Sequence, residues 1–222
     1  MRQIADGLFQ LRGFPHNFVN IYLMGGILVD SGTRFDRGRI LRQLAGQSVT
    51  AHALTHAHPD HQGSSHAVCL ALGLPFWCGE ADADAAEDPK LILERLPRHW
   101  INTYISPRIM GPGHPISRRL KEGDEVAGFT VIETPGHSAG HVSYWRAKDK
   151  VLVVGDVAAN MDPLTARRGL FEPPAFFSAD VGGNRDSARK LAALGPEILC
   201  FGHGPPLFEG AKFQAFVERL GK

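Results

Sequence analysis

Residues Thr55 to Gly63 read THAHPDHQG, which places His56, His58, Asp60 and His61 within six positions. Imidazoles this close repel one another when protonated, and the segment has none of the apolar periodicity that a core needs. The crowding becomes favourable if a cation sits among the rings. Any fold this chain adopts then has to bring further donors to the same place from distant parts of the sequence.

Three such donors stand at the ends of strand-length apolar runs. VIETPGH delivers His137, VLVVGD delivers Asp156 and ILCFGH delivers His203. A glycine precedes each one, which lets a strand leave its sheet sharply and lets backbone approach an ion. The opening loop itself follows the run VTAHALT. Four strand ends are thus expected to meet along one edge of the structure.

Neutral imidazole and carboxylate suit zinc, manganese or iron, and no thiolate belongs to the set. His56 and His58 flank Ala57, so an extended backbone presents both rings on one side. Asp60 and His61 then point to a second position. Divided with Asp156 as a bridge, the set supplies His56, His58 and His137 to one ion and Asp60, His61 and His203 to another. Each ion keeps an open position for a shared water, the mark of a catalytic site rather than a closed structural one.

The rest of the chain supports an α/β class. NIYLMG, GGILVDSG, FTVIETPG, HVSYW, KVLVVGD and EILCFGHG are further runs of strand length. Helical patterns lie between some of them. DRGRILRQLAG carries a stripe of Ile40, Leu41 and Leu44 ended by Gly46, and RDSARKLAALGP predicts a helix capped by Asp186 or Ser187. AKFQAFVERL places Phe213, Phe216, Val217 and Leu220 on one face that should dock on the body. From Gly79 to about Lys121 no strand alternation is visible. That region reads as a helix followed by an irregular surface excursion, of the kind that forms lids or binding loops.

With 222 residues, 43% hydrophobic and 21% charged, the chain can bury a large core as one domain. Lys and Arg (24) nearly cancel Asp and Glu (23), so the basic footprint of a nucleic-acid binder is missing. No apolar run is long enough to span a membrane, and MRQIADGLFQLRG lacks the apolar stretch of a secretory signal. Cys69, Cys78 and Cys200 have no CxxC spacing and read as buried small hydrophobes in a reducing compartment. These features point to a cytoplasmic protein acting on a small molecule, without nucleic acid or membrane as partner and with oligomeric state open.

Taken in order, LVDSG, HAHPDH, PGHSAGH, VVGD and FGHG resemble the motifs of the metallo-β-lactamase fold superfamily, and the resemblance covers nearly the whole chain. It implies a four-layer αβ/βα sandwich: two facing mixed β-sheets with outer helices and metals at one edge, as a single domain over residues 1–222. It also implies the ligand division given above, filled by two divalent ions, zinc first with iron or manganese as alternatives. The superfamily's diiron flavoprotein branch carries a Glu where this chain has His58, which disfavours that branch.

The activity implied is hydrolysis of an ester, thioester or lactone by a metal-bridging hydroxide, with Asp60 orienting the nucleophile and passing on its proton. The alternatives are a mononuclear iron persulfide dioxygenase and a phosphodiesterase of the same fold. Glyoxalase II-like thioesterases usually add a C-terminal helical extension that binds glutathione, and here nineteen residues follow His203. Small lactonases and general ester or thioester hydrolases fit the size best, with Tyr104 or Tyr22 as candidate donors to the carbonyl. Asp30 reads either as a turn residue or as a carboxylate orienting the ligand loop. His141 is expected to hydrogen-bond near the site, and His16, His52, His66, His99 and His114 to be surface or structural. Trp100 and Tyr104 either wall a pocket or anchor the excursion, and Cys200 reads as core.

Overall fold

In the computed structural model, which describes residues 1–221, the chain builds one sheet and then a second. The first holds seven strands in sequence order: β1 (Arg2–Ala5), β2 (Leu8–Gln10), β3 (Tyr22–Met24), β4 (Ile27–Val29), β5 (Ala51–Ala53), β6 (Phe76–Gly79) and β7 (Arg118–Leu120). Its first four strands form an antiparallel meander, and β4 to β7 run parallel. The second sheet contains β8 (Glu125–Val126), β9 (Phe129–Glu133), β10 (Val142–Arg146) and β11 (Val151–Gly155). A separate ribbon of β12 (Ala159–Met161) and β13 (Arg168–Phe171) follows, and β14 (Ile198–Phe201) returns to lie parallel to β11.

Parallel neighbours need crossover connections, and helices supply them. α1 (Arg37–Leu44) links β4 to β5, and α2 (Pro59–Gln62) with α3 (Ser65–Leu72) links β5 to β6. Four short helices precede β7: α4 (Ala83–Glu87), α5 (Pro89–Arg95), α6 (Trp100–Tyr104) and α7 (Ser106–Ile109). α8 (Val181–Ala193) leads into β14, and α9 (Gly210–Val217) packs behind it with Phe213, Phe216 and Val217 buried.

Alternation along the strands explains the layering. Tyr22, Met24, Ile27 and Val29 pack with Val131, Tyr144 and Val153 of the second sheet, forming a core between the sheets. Leu23 and Leu28 point the other way, to Ile40, Leu44 and Val68 of the outer helices. On the second sheet Leu152 and Val154 face Leu191 and Phe213. Both faces of β3, β4, β11 and β14 are therefore apolar, which is why these runs read as continuous hydrophobic stretches. Each such Val or Leu buried contributes about 1.5–3 kcal/mol. The result is the four-layer αβ/βα sandwich with two facing mixed sheets.

Two local readings are corrected. α8 starts at Val181, five residues before Asp186, with Asp180 as its cap accepting from the Gly183 amide. The Gly182–Gly183 pair argues against helix on propensity alone, yet the turn before His137 packs onto this first turn. A Cβ on Gly136 would stand 2.1 Å from the Asn184 nitrogen, so backbone has to meet backbone there. The excursion is also more ordered than expected, since it holds four helices and an edge strand. Pro89 and Pro107 sit in the first turns of α5 and α7, where a missing N–H costs nothing, so they start helices rather than break them. Among the described residues no helix is long and apolar enough to cross a membrane.

Candidate metal centre

The ends of β5, β9, β11 and β14 lie along one edge, and the structure brings all seven sequence-predicted donors together there. Ring centroids of His56 lie 4.5 Å from His58, 4.2 Å from His61 and 4.7 Å from His137. His203 lies 5.4 Å from His61. Three donor groups emerge, His56–His58–His137, His56–His61–Asp156 and Asp60–His61–His203, each with its atoms within 4.8 Å of one another. Asp156 Oδ2 stands between them, 3.1 Å from His203 Nε2, 3.5 Å from His61 Nε2 and 3.6 Å from His137 Nε2. Only glycine fits before His203, because a Cβ on Gly202 would come within 1.9 Å of Asp156 Oδ1.

Four of the five rings, those of His56, His61, His137 and His203, are turned by a hydrogen bond at Nδ1, which leaves Nε2 aimed into the cluster. His56 Nδ1 meets Thr55 Oγ1 at 3.0 Å, His61 Nδ1 donates to Asp30 at 3.0 Å and His137 Nδ1 meets Ser178 Oγ at 3.2 Å. His203 Nδ1 donates to the Phe18 carbonyl. Asp30 is both of the things its sequence context allows: it adopts φ +61°, and its carboxylate also accepts from the amide and hydroxyl of Thr55. His141 binds the cluster from behind, its Nε2 accepting from the Asp156 amide at 3.0 Å.

Asp82 and His52 are structurally more important than the sequence suggested. The Asp82 carboxylate accepts from the Ala57 amide, the Ser138 hydroxyl and the Gly140 amide, stapling the two histidine loops together. It sits in an acidic, alanine-rich stretch, where nothing in the spacing marks it. His52 is fully buried, donating to the Leu28 carbonyl and meeting Ser65 Oγ, which lies 2.9 Å from Ser31 Oγ. Ser31 in turn donates to the His61 carbonyl, so His52 supports the ligand loop from below.

The donor atoms test whether a cation fits. His56 Nε2, His61 Nε2 and Asp156 Oδ1 are buried and find no hydrogen-bond partner among the described residues. Leaving such atoms unpaired costs about 1–3 kcal/mol each, and cations held by the donor triads would pair the two imidazole nitrogens. The residues present fit a divalent metal.

A metallo-beta-lactamase superfamily model matches residues 15–203. The chain belongs to the metallo-beta-lactamase superfamily. It is 31% identical to the probable metallo-hydrolase YflN of Bacillus subtilis (strain 168), over 98% of this chain and 87% of that one. It is 32% identical to a hydroxyacylglutathione hydrolase of Rhodospirillum rubrum over 71% of its length, spanning about half (49%) of that enzyme. A metallo-beta-lactamase family protein of Thermus thermophilus shares the fold with a TM-score of 0.71 at 27% identity, covering 98% of this chain and 79% of that one. This superfamily member is a hydrolytic enzyme, and metal ions are what the superfamily uses.

Without metal, the charges in this metallo-beta-lactamase fold site divide in two. Burial, reinforced by neighbouring imidazoles, holds His56 and His137 well below the usual imidazole range, and burial lowers His58 too. Burial opposes charge on His203 as well, but the Asp156 and Asp60 carboxylates override it and raise His203 to about 10. His61 is raised in the same way. One triad is thus neutral and ready to ligate, whereas the other holds protons beside its carboxylates.

A cavity of about 330 Å³ opens over the cluster, with His58, Asp60, His137, Asp156 and His203 in its floor. Trp100 of α6 lines it, so this residue does wall a pocket, while Tyr104 lies outside the lining. Tyr22 is excluded as a carbonyl donor, since it is buried between the sheets with its hydroxyl donating to the Phe201 carbonyl at 2.8 Å. Cys200 is core, and burial pushes its thiol up to about 12.

Proposed function

We propose that the chain is a dinuclear metal-dependent hydrolase of small ester, thioester or lactone substrates. The observation that carries this reading is the pair of non-overlapping donor triads, His56–His58–His137 and Asp60–His61–His203, with Asp156 in reach of both. Nitrogen and oxygen donors of this kind take zinc first, with iron or manganese as alternatives. Bound there, two divalent cations supply a water whose pKa falls from about 15.7 to roughly 7, and positive charge for a developing oxyanion.

The chain's own residues do the rest. Asp30, Asp82 and His141 fix the loops so that the imidazoles do not shift during turnover. Asp60 is the most open carboxylate of the set, its side chain 28% exposed and lining the cavity. Its Oδ2, 3.4 Å from His203 Nε2, is the oxygen placed to take the proton of the attacking water and pass it to the leaving group. Among the described residues no Lys or Arg lines the cavity, which favours a carbonyl centre over a phosphodiester, whose negative charge needs a cationic wall. The free, buried cysteines suit the cytoplasm as compartment.

Elemental analysis of the purified protein, followed by a panel of chromogenic esters, thioesters, lactones and phosphodiesters, tests the reading. Two ions per chain with oxygen-independent hydrolysis are expected. One iron per chain with oxygen uptake on a persulfide would replace this reading with the dioxygenase.

A further inference from the structure

Resting on that hydrolase reading, we infer that the cavity takes substrates whose acyl part is a neutral aliphatic chain, and that it rejects acyl groups carried on a charged peptide such as glutathione. Away from the metal-cluster loops, the lining comes from five separate segments of the chain, and its polar side chains are only Thr33 and Ser106 among the described residues. The remainder is apolar, with Phe18, Trp100, Ile101, Ile105, Leu164 and Phe177 as its largest contributors. No described Lys, Arg, Asp or Glu stands in the lining outside the cluster.

Glutathione carries two carboxylates and an ammonium group. Desolvating charges against such a wall without a partner is strongly unfavourable. An aliphatic chain meets the opposite situation. Trp100 is 61% exposed and Leu164 is 54% exposed, although both border the cavity, so large apolar side chains stand open to water next to the reacting groups. Contiguous apolar surface of this kind marks a ligand groove. A substrate with its carbonyl at the donor cluster can lay its chain along Ile101 and Ile105 towards Leu164 and cover them. The cavity volume, about 330 Å³, lies at the small end of the roughly 300–1,000 Å³ typical of ligand sites and suits one such chain.

The reaction balances simply. Water adds its oxygen to the acyl carbon, the bond from that carbon to the departing oxygen or sulfur breaks, and the water's proton ends on the leaving group. The products are the carboxylic acid and the free alcohol, thiol or ring-opened hydroxyl.

The test uses the zinc-loaded enzyme and p-nitrophenyl acetate, butyrate and octanoate, with lactoylglutathione as the charged thioester. kcat/KM is expected to climb by about tenfold or more from acetate to octanoate, and lactoylglutathione to be a poorer substrate than the octanoyl ester. Leu164→Lys, and Leu164→Ser as a milder second variant, should collapse the octanoate-to-acetate ratio. A flat or falling series, or faster turnover of lactoylglutathione than of the octanoyl ester, overturns the inference and leaves the hydrolase reading intact. Calorimetry with octanamide and acetamide reads the wall without turnover: saturable heat for octanamide alone supports the acyl site, and none with either overturns it. If octanamide binds while no ester, thioester or lactone is cleaved, the hydrolase reading fails and the apolar site stands.

Discussion

The donor edge and the apolar wall facing it are neighbours built on opposite principles. At the edge the donors are mostly buried and braced from behind: Asp30 holds Thr55 and His61, Asp82 joins the two histidine loops, and His141 holds the Asp156 amide. In the wall, α6 and α7 span five and four residues, too short to persist without tertiary contacts, and α6 and the joint after it carry Trp100 and Ile105 partly into solvent. Chemistry at a metal pair requires donors held within about half an ångström. An apolar tail asks only for area. The contrast teaches that specificity in this fold can drift by altering the wall while the reacting groups stay in place.

Substitutions at the edge should therefore act on rate, and substitutions in the wall on substrate affinity. Asp60→Asn is the largest test, with kcat expected to fall about 10²–10⁴-fold while the far-ultraviolet spectrum and melting point hold. Near-wild-type turnover by the metal-replete variant would sink the proton role. Asp82→Ala comes next. It touches no substrate, yet it leaves the Ala57 amide, the Ser138 hydroxyl and the Gly140 amide without their acceptor. Zinc affinity, measured by competition with a chelator, should weaken about 10–100-fold. Unchanged affinity would mean the loops hold themselves.

His52 provides a pH test of the bracing beneath the edge. Burial depresses it from the ordinary 6.5 to about 4, so the unfolded chain takes up this proton first. Its contribution to stability is whole above pH 6.5 and drains away as pH falls towards 4. Between pH 7.5 and 5.0 the metal-free wild type should lose about 2 kcal/mol more than metal-free His52→Gln, read from urea midpoints. Equal losses would place the acid sensitivity elsewhere. Trp100→Ala should show the smallest effect, raising KM for an octanoyl ester about fivefold with less change in kcat. A fall in kcat alone would contradict the division between edge and wall.

The sequence displayed the edge far better than the wall, for physical reasons. A donor such as His137, Asp156 or His203 must follow a strand and a tight glycine turn, so each leaves a local signature of apolar run, Gly and ligand. The sheet interiors were equally legible, because Val151 to Val154 are buried on both faces and read as one run. Asp82 carries no such mark, since its three partners come from loops 25 to 58 residues away. The start of α8 was hidden by Gly182 and Gly183, whose low helix propensity is overridden by the close approach of Gly136. Five prolines made the excursion look irregular, though two of them, Pro89 and Pro107, begin helices. Tyr22 looked free to meet a substrate because its place between the sheets depends on which strands pair, and that is not written locally.

Calorimetric titration of chelator-stripped protein with zinc tests the central claim most directly. Two equivalents should bind, with His58→Ala weakening one and His203→Ala weakening the other, since these rings belong to separate triads. Saturation at one equivalent or none, or the same two equivalents at unchanged affinity in both variants, would contradict the dinuclear centre.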